Sequence, residues 1–165
     1  MPKKLKLSKT VFMDTTFLLP FFRVEIEVES FSLDKFENFL TKISEVHFSE
    51  LSIFEAKAKL FRLSRENTTY TQALGDFGKN LAVLREDEKF IFHPYTARDD
   101  ECFNLILTKN WALDSFDIII LAQALNIRVL VTEDKEILRI RDREKFVKDP
   151  ILGMATIKRW KELEI

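Results

Sequence analysis

Cysteine, glycine, proline and histidine are scarce in this chain, and each scarcity excludes something. A single cysteine, Cys102, in 165 residues cannot close an internal disulfide, so a reducing cytoplasm is the expected setting. Cys102 falls in a helical segment without a matched histidine, which argues against a thiol nucleophile. Three Gly and four Pro argue against long coil and favour helices. They also leave no glycine-rich loop to cradle the phosphates of a nucleoside triphosphate. The two histidines, His47 and His93, are too few and too far apart in sequence for a zinc site. His93, followed by Pro94, reads as structural. An excess of charge of one sign is missing too. The net charge of −1 excludes a globally basic nucleic-acid coat but allows a local basic strip. No run approaches the roughly 20 apolar residues of a membrane span. The first nine residues are basic (Lys3, Lys4, Lys6, Lys9), yet Asp14 interrupts the apolar stretch behind them, so no secretory signal is expected.

Phenylalanine is what the chain has in excess, with 16 residues inside a 46% hydrophobic composition. That suits one globular domain over 1–165 with a bulky aromatic core. It also raises the prospect of an apolar surface for self-association.

Hydrophobic periodicity orders the chain into alternating strands and helices. A strand is expected at Thr10–Met13, followed by a short helix over Thr15–Phe22 that Pro20 disturbs. Arg23–Ser30 alternates Val24, Ile26 and Val28 with Glu25, Glu27 and Glu29, and reads as a strand or a loop. Leu33–Ile43 is helical. Val46–Phe48 is a second strand, and Ser49 then caps a helix whose apolar stripe is Leu51, Phe54, Ala58 and Phe61. Thr68 or Thr69 opens another helix to about Leu84, weakened in its middle by Gly75 and Gly78. A strand at Phe90–Phe92, a helix over Thr96–Thr108, a helix capped by Asp114 over Ser115–Leu125 and a strand at Ile127–Val131 follow. Asp134 starts a short helix. Phe146–Val147 is expected as a last edge strand, and Ala155–Glu164 as an amphipathic helix. Strands separated by helices predict α/β architecture: a Rossmann-like three-layer sandwich around a short parallel sheet.

Acidic residues fall where such a sheet exposes its ligand-binding edge. Asp14 follows the first strand, and Thr132-Glu133-Asp134 follows the strand ending at Val131. Glu55 and Asp117 lie in early turns of two intervening helices. In a parallel sheet these positions share one edge. Each has a plainer reading. Asp14, Asp114 and Asp134 are good N-caps, Asp117 suits the positive end of a helix, and Glu55 can pair with Lys59. Chance capping explains any one of them, and explains four on one edge less easily. Glu50 is a fallback for Glu55, and Glu136 is an outer addition. Carboxylates gathered there would repel an anionic substrate unless divalent cations came first, which points to hydrolysis of phosphate esters. Lys59, Arg62 and Lys9 are candidate contacts to a substrate backbone, although a solvated face accounts for them better.

The segments Val11-Phe12-Met13-Asp14-Thr15, Ser49-Glu50-Leu51-Ser52-Ile53-Phe54-Glu55, Phe116-Asp117-Ile118-Ile119-Ile120-Leu121-Ala122-Gln123-Ala124 and Val131-Thr132-Glu133-Asp134 resemble the four signatures of the PIN domain. The resemblance implies an α/β/α nuclease that depends on Mg²⁺ or Mn²⁺ and usually cuts RNA. It implies an acidic cluster of Asp14, Glu55, Asp117 and Asp134, with Thr132 as the associated hydroxyl. It also implies a homodimer, and brings VapC-type toxins held by an antitoxin into view. The chain is longer than such toxins usually are, which weighs on the toxin role more than on the nuclease. A Phe-rich face (Phe17, Phe21, Phe22, Phe36, Phe39) is a candidate groove for an antitoxin helix, with core packing as the plainer account. The alternative to an enzyme is a non-catalytic scaffold of the same fold that binds RNA or a protein.

Overall fold

The computed structural model describes residues 10–164. Five strands form one all-parallel sheet in the order β3-β2-β1-β4-β5. They are β1 (Thr10–Met13), β2 (Glu45–Ser49), β3 (Phe90–His93), β4 (Val129–Val131) and β5 (Thr156–Lys158). The chain works outward from β1 to β3 on one side, then returns to β4 on the other. The direction of winding therefore reverses between β1 and β4, and such a reversal opens a crevice at the carboxyl ends of the two strands.

Side chains alternate across the sheet with the two-residue period of a strand. Val11 and Met13 enter one core, and Phe12 enters the other. The first face is covered by α1 (Leu33–Lys42), α2 (Glu50–Glu66), α3 (Thr71–Gly75) and α4 (Phe77–Glu86). The second is covered by α5 (Ala97–Thr108), α6 (Ser115–Ala124), α7 (Lys135–Arg141) and α8 (Glu144–Val147). This is the Rossmann-like α/β/α sandwich that the alternation of strands and helices predicts.

Most helix starts follow the expected capping chemistry. The side chains of Ser32, Ser49, Thr96, Asp114 and Asp134 each accept a backbone N–H at the head of their helix. Asp14 does the same for a 3₁₀ turn at Thr15–Phe17, and Pro20 opens a second such turn at Leu19–Phe22. Arg23–Ser30 keeps its alternation of inward Val24, Ile26 and Val28 with exposed glutamates, but as a loop rather than a strand. The helix expected from Thr68 to Leu84 is divided into a 3₁₀ turn, α3 and α4, with Asp76 at the break between Gly75 and Phe77.

Two expectations near the C-terminal region are reversed. Phe146–Val147 is not an edge strand. It ends α8, with Phe146 buried and Val147 exposed. Ala155–Glu164 is not a helix. It holds β5 and a 3₁₀ turn at Trp160–Glu162. Ile157, Trp160 and Leu163 have helical spacing, but Ile157 packs into the second core while Trp160 and Leu163 pack into the first. A single helix face cannot serve both sides of a sheet. Parallel pairing with β4 satisfies the backbone instead, through Thr156 N–H to Arg128 O (2.7 Å) and Thr132 N–H to Lys158 O (3.0 Å).

The Phe-rich face is core, not a groove. Phe17, Phe22, Phe36 and Phe39 are buried, and Phe21 packs against them. Trp160 fills the space between them, with ring centroids 5.8 Å from Phe17, 5.8 Å from Phe36 and 5.5 Å from Phe39. The stripe assigned to the core side of α2 is also reversed. The inward residues are Ser52, Ile53, Ala56 and Leu60, whereas Phe54, Ala58 and Phe61 face solvent. The small Ser52 and Ala56 let α2 lie close to the sheet, so the larger rings turn outward. No helix of the described residues is long and apolar enough to cross a membrane.

Candidate active site

The crevice between β1 and β4 holds a cavity of about 380 Å³. Its walls include Asp14, Glu55, Asp117 and Asp134, with Thr132, Glu133 and Glu136 beside them. Four separate segments of sequence thus bring their carboxylates to one place.

Asp14 is fixed from several directions. Its Oδ2 accepts hydrogen bonds from the Thr132 hydroxyl and from Glu133 N–H (3.1 Å), and its Oδ1 accepts from Thr16 N–H (3.0 Å). It is 8% exposed. Burial pushes its pKa up to about 6 despite those three donors, and Asp134 adds repulsion. Thr132, fully buried, also accepts Asp134 N–H at 3.0 Å. One hydroxyl therefore ties the ends of β1 and β4 together, which makes Thr132 a positioning residue.

Asp134 accepts Glu136 N–H and Ile137 N–H, each at 2.9 Å, as the N-cap of α7. Capping and a place in the cavity coexist, because a strand end feeding a helix points its cap residue into the crevice. In α6 the two roles fall to different residues. Asp114 caps the helix by accepting Asp117 N–H (2.9 Å), and Asp117 itself lines the cavity. Burial, followed by repulsion from Asp134 and Asp114, raises the Asp117 pKa to about 7. Glu55 is raised as well, chiefly by burial, while the Thr15 hydroxyl stabilises its charge by donating to Oε1 at 3.0 Å.

Glu50, the fallback for Glu55, is engaged elsewhere. Arg85 grips it with two hydrogen bonds of 2.8 Å, and the Glu50 pKa is lowered accordingly. Glu136 borders the cavity and pairs with Arg139 at 2.8 Å. Lys59 and Arg62 are exposed on α2, and neither borders the cavity. Lys9 lies outside the described residues.

Several contributors escape a reading of motifs. Glu133 is held by Arg159 Nε and Nη2, both at 3.0 Å, and by Trp160 N–H at 2.8 Å. The C-terminal segment thereby braces the cavity wall and neutralises one of its acids. Phe116, 47% exposed, contributes an aromatic wall beside Asp117. Thr15 lies within the first of the four signature segments, but its contact with Glu55, 40 positions away, has no local mark. The pairing of Arg159 with Glu133 spans 26 positions and has no local signature. The two histidines also meet, away from the cavity. His47 Nδ1 is 2.6 Å from His93 Nε2, and His47 Nε2 is 3.1 Å from Glu45.

Among the described residues, no three His, Cys, Asp or Glu side chains are gathered closely enough, as they stand, to hold a metal ion. The donor set is nonetheless all oxygen, the charge of Asp134 helps raise the pKa of both Asp14 and Asp117, and no cation pairs with Asp14, Asp117 or Asp134 in an ion pair among those residues. That suits a hard divalent ion that keeps several waters and takes only one or two carboxylates directly.

No protein-family model matches the chain, and no curated protein matches it either. Among solved structures, a chain in the crystal structure of VapBC2 from Rickettsia felis bound to a DNA fragment from their promoter superposes with a TM-score of 0.59 at 12% identity. The match covers 92% of this chain and 98% of that one. It is a likeness of fold, and it extends over nearly the whole domain.

Proposed function

We propose that the chain is a metal-dependent nuclease that hydrolyses phosphodiester bonds, with RNA as its substrate, at the cavity between β1 and β4. The observation that carries this reading is the convergence of Asp14, Glu55, Asp117 and Asp134 at the point where the sheet reverses its winding.

Asp14, Asp117 and Asp134 would hold Mg²⁺ or Mn²⁺, directly or through water, with Glu55 at the rim. A divalent ion there supplies Lewis acidity, lowering the pKa of water and offsetting charge on the phosphate oxygens. The chain's own residues do the positioning. Thr132 and the backbone of Glu133 and Thr16 hold the Asp14 carboxylate rigid. Glu55 is oriented by Thr15, and its raised pKa suits it to accept a proton from the attacking water. Phe116 and Ile120 give the cavity an apolar margin that strengthens charge interactions inside it.

The likeness to a chain of the VapBC2 structure supports a toxin role, with an antitoxin as partner. A short reading frame directly upstream of this gene would favour that role. The purified protein, incubated with mixed structured and single-stranded RNA, tests the enzyme. Cleavage in Mn²⁺ that EDTA stops and Asp117→Asn abolishes is the expected result. Cleavage unchanged in Asp117→Asn removes the site assignment. Absence of both cleavage and Mn²⁺ binding returns the chain to the scaffold reading.

A further inference from the structure

Helix α2 has more apolar surface than its core side uses. Its buried residues are Ser52, Ile53, Ala56 and Leu60, yet Phe54 is 69% exposed and Phe61 46% exposed on the opposite side. Phe54, Ala58 and Phe61 recur at the helical repeat and form one outward stripe. Beside them runs a second stripe of Glu55, Lys59 and Arg62. Glu55 reaches the cavity, and Lys59 and Arg62 continue away from it along the helix. Neither of those two cations forms an ion pair among the described residues. Arg65 lies over one face of the Phe61 ring at 4.5 Å, so a base stacking there would meet the remaining exposed part of the ring or displace the guanidinium. At the other end, Phe116 presents an exposed ring from the cavity wall.

Aromatic platforms interleaved with unpaired cations are what an unpaired polynucleotide strand requires. Each base has a face to stack, and each phosphate needs a cation. A duplex offers no such faces, because its bases already stack on one another. Phe54 and Phe61 are seven residues apart, about 10 Å along the helix axis, or roughly three stacked-base steps of about 3.4 Å. The core of a protein interface is depleted in lysine, whereas here the two rings are separated by alanine and flanked by Lys59, with Arg62 beside it.

We propose that the outer face of α2, with Phe116, is a track that binds an unpaired polynucleotide strand and leads it to the cavity. Phe54, Phe61 and Phe116 stack bases, and Lys59 and Arg62 contact phosphates. The destination of the track rests on the nuclease reading. The track itself does not, because it is tested by binding alone.

The test uses the full chain carrying Asp117→Asn, in EDTA, so that no strand is cut. Fluorescence anisotropy is read with a labelled 12-nucleotide RNA strand, the DNA strand of the same sequence, an abasic strand of the same length and the RNA duplex. Phe54→Ala and Phe61→Ala, both surface changes that spare the core, should each weaken the base-bearing strand about tenfold and leave the abasic strand unchanged. Phe54→Trp should restore binding. Lys59→Gln and Arg62→Gln should weaken both single strands and lower the salt slope by about 0.7 each. The duplex should bind at least tenfold more weakly than the single strand. Either sugar giving this pattern supports the track, and the tighter one identifies the substrate. Alanine variants that bind like the parent, equal loss on the abasic strand, or a duplex bound as tightly as the single strand would each overturn it. So would a self-associated species dissolved by Phe54→Ala while strand affinity stays constant. Should metal-dependent cleavage fail while this binding pattern holds, the nuclease reading falls and the track stands.

Discussion

Replacing Asp117 by Asn should make the metal-free protein more stable at neutral pH and above, and should abolish the cleavage proposed for it. Asp117 ionises at a pKa of about 7 in the fold, against 3.8 for an unperturbed aspartate, because it is half-buried and faces Asp134 and Asp114. The folded state therefore binds the proton more tightly than the unfolded chain does. The stabilising effect of that proton is complete below pH 3.8 and is lost as pH rises through about 7. At about 1.36 kcal/mol per pH unit, the full cost of the ionised form is about 4 kcal/mol. Solvent around a half-buried carboxylate screens that to about 2 kcal/mol. Asn mimics the protonated acid in size and carries no charge to repel Asp134. Urea unfolding followed by tryptophan fluorescence, at several pH values in EDTA, should show Asp117→Asn more stable than the parent by about 2 kcal/mol at pH 8. The gap should close toward pH 4. If Asp117 is a metal ligand, as proposed, adding Mn²⁺ should stabilise the parent more than the variant. A stability difference that does not change with pH, or a variant less stable at pH 8, would refute the claim that repulsion and burial at this site destabilise the ionised acid.

Thr132→Val removes the hydroxyl that joins Asp14 to the backbone of Asp134, and should cost about 1–3 kcal/mol by urea unfolding, with Thr132→Ser recovering most of it. Trp160→Ala should cost about 3–5 kcal/mol in the same assay, since it empties the centre of the phenylalanine cluster. His93 has its pKa lowered by burial and by neighbouring His47, with Asp99 opposing. Its contribution to stability is thus present above pH 6.5 and lost as pH falls below that value. His93→Gln should flatten the acid side of the stability profile below pH 6.5, and an unchanged slope would remove His93 as its source.

The residues that converge on the cavity were more legible in the sequence than parts of the fold around them. Asp14 and Asp134 declare themselves because caps and strand ends are local, and at the carboxyl edge of a parallel sheet the same residue both caps and faces the crevice; Asp117 is marked instead by its place in the first turn of α6, after the cap Asp114. Glu55 against Glu50 was ambiguous, since both lie early in α2. Only the position of Arg85, 35 residues from Glu50, separates them. The apolar stripe of α2 misled for a related reason. Periodicity identifies a face, but not which of two faces meets the sheet, and small Ser52 and Ala56 won the inner side over Phe54 and Phe61. Residues 155–164 failed because helical spacing of Ile157, Trp160 and Leu163 coincided with a strand and turn that serve opposite sides of the sheet. The meeting of His47 with His93 and of Glu133 with Arg159 is tertiary, and nothing within a sequence window reports it.

Trp160 has a consequence for how the molecule comes to be folded. Its indole N–H reaches the carbonyl of Ser30, 130 positions away, while its ring packs against Phe17. The first core therefore cannot close until very distant parts of the chain have met, and closing so long a loop costs entropy before any contact repays it. Folding dominated by such non-local contacts is slow. Until the tryptophan docks, the phenylalanines of α1 and of the turns after β1 remain uncovered, and Glu133 lacks the arginine that steadies it. Assembly of the acidic cavity is thus expected to be among the last events in folding.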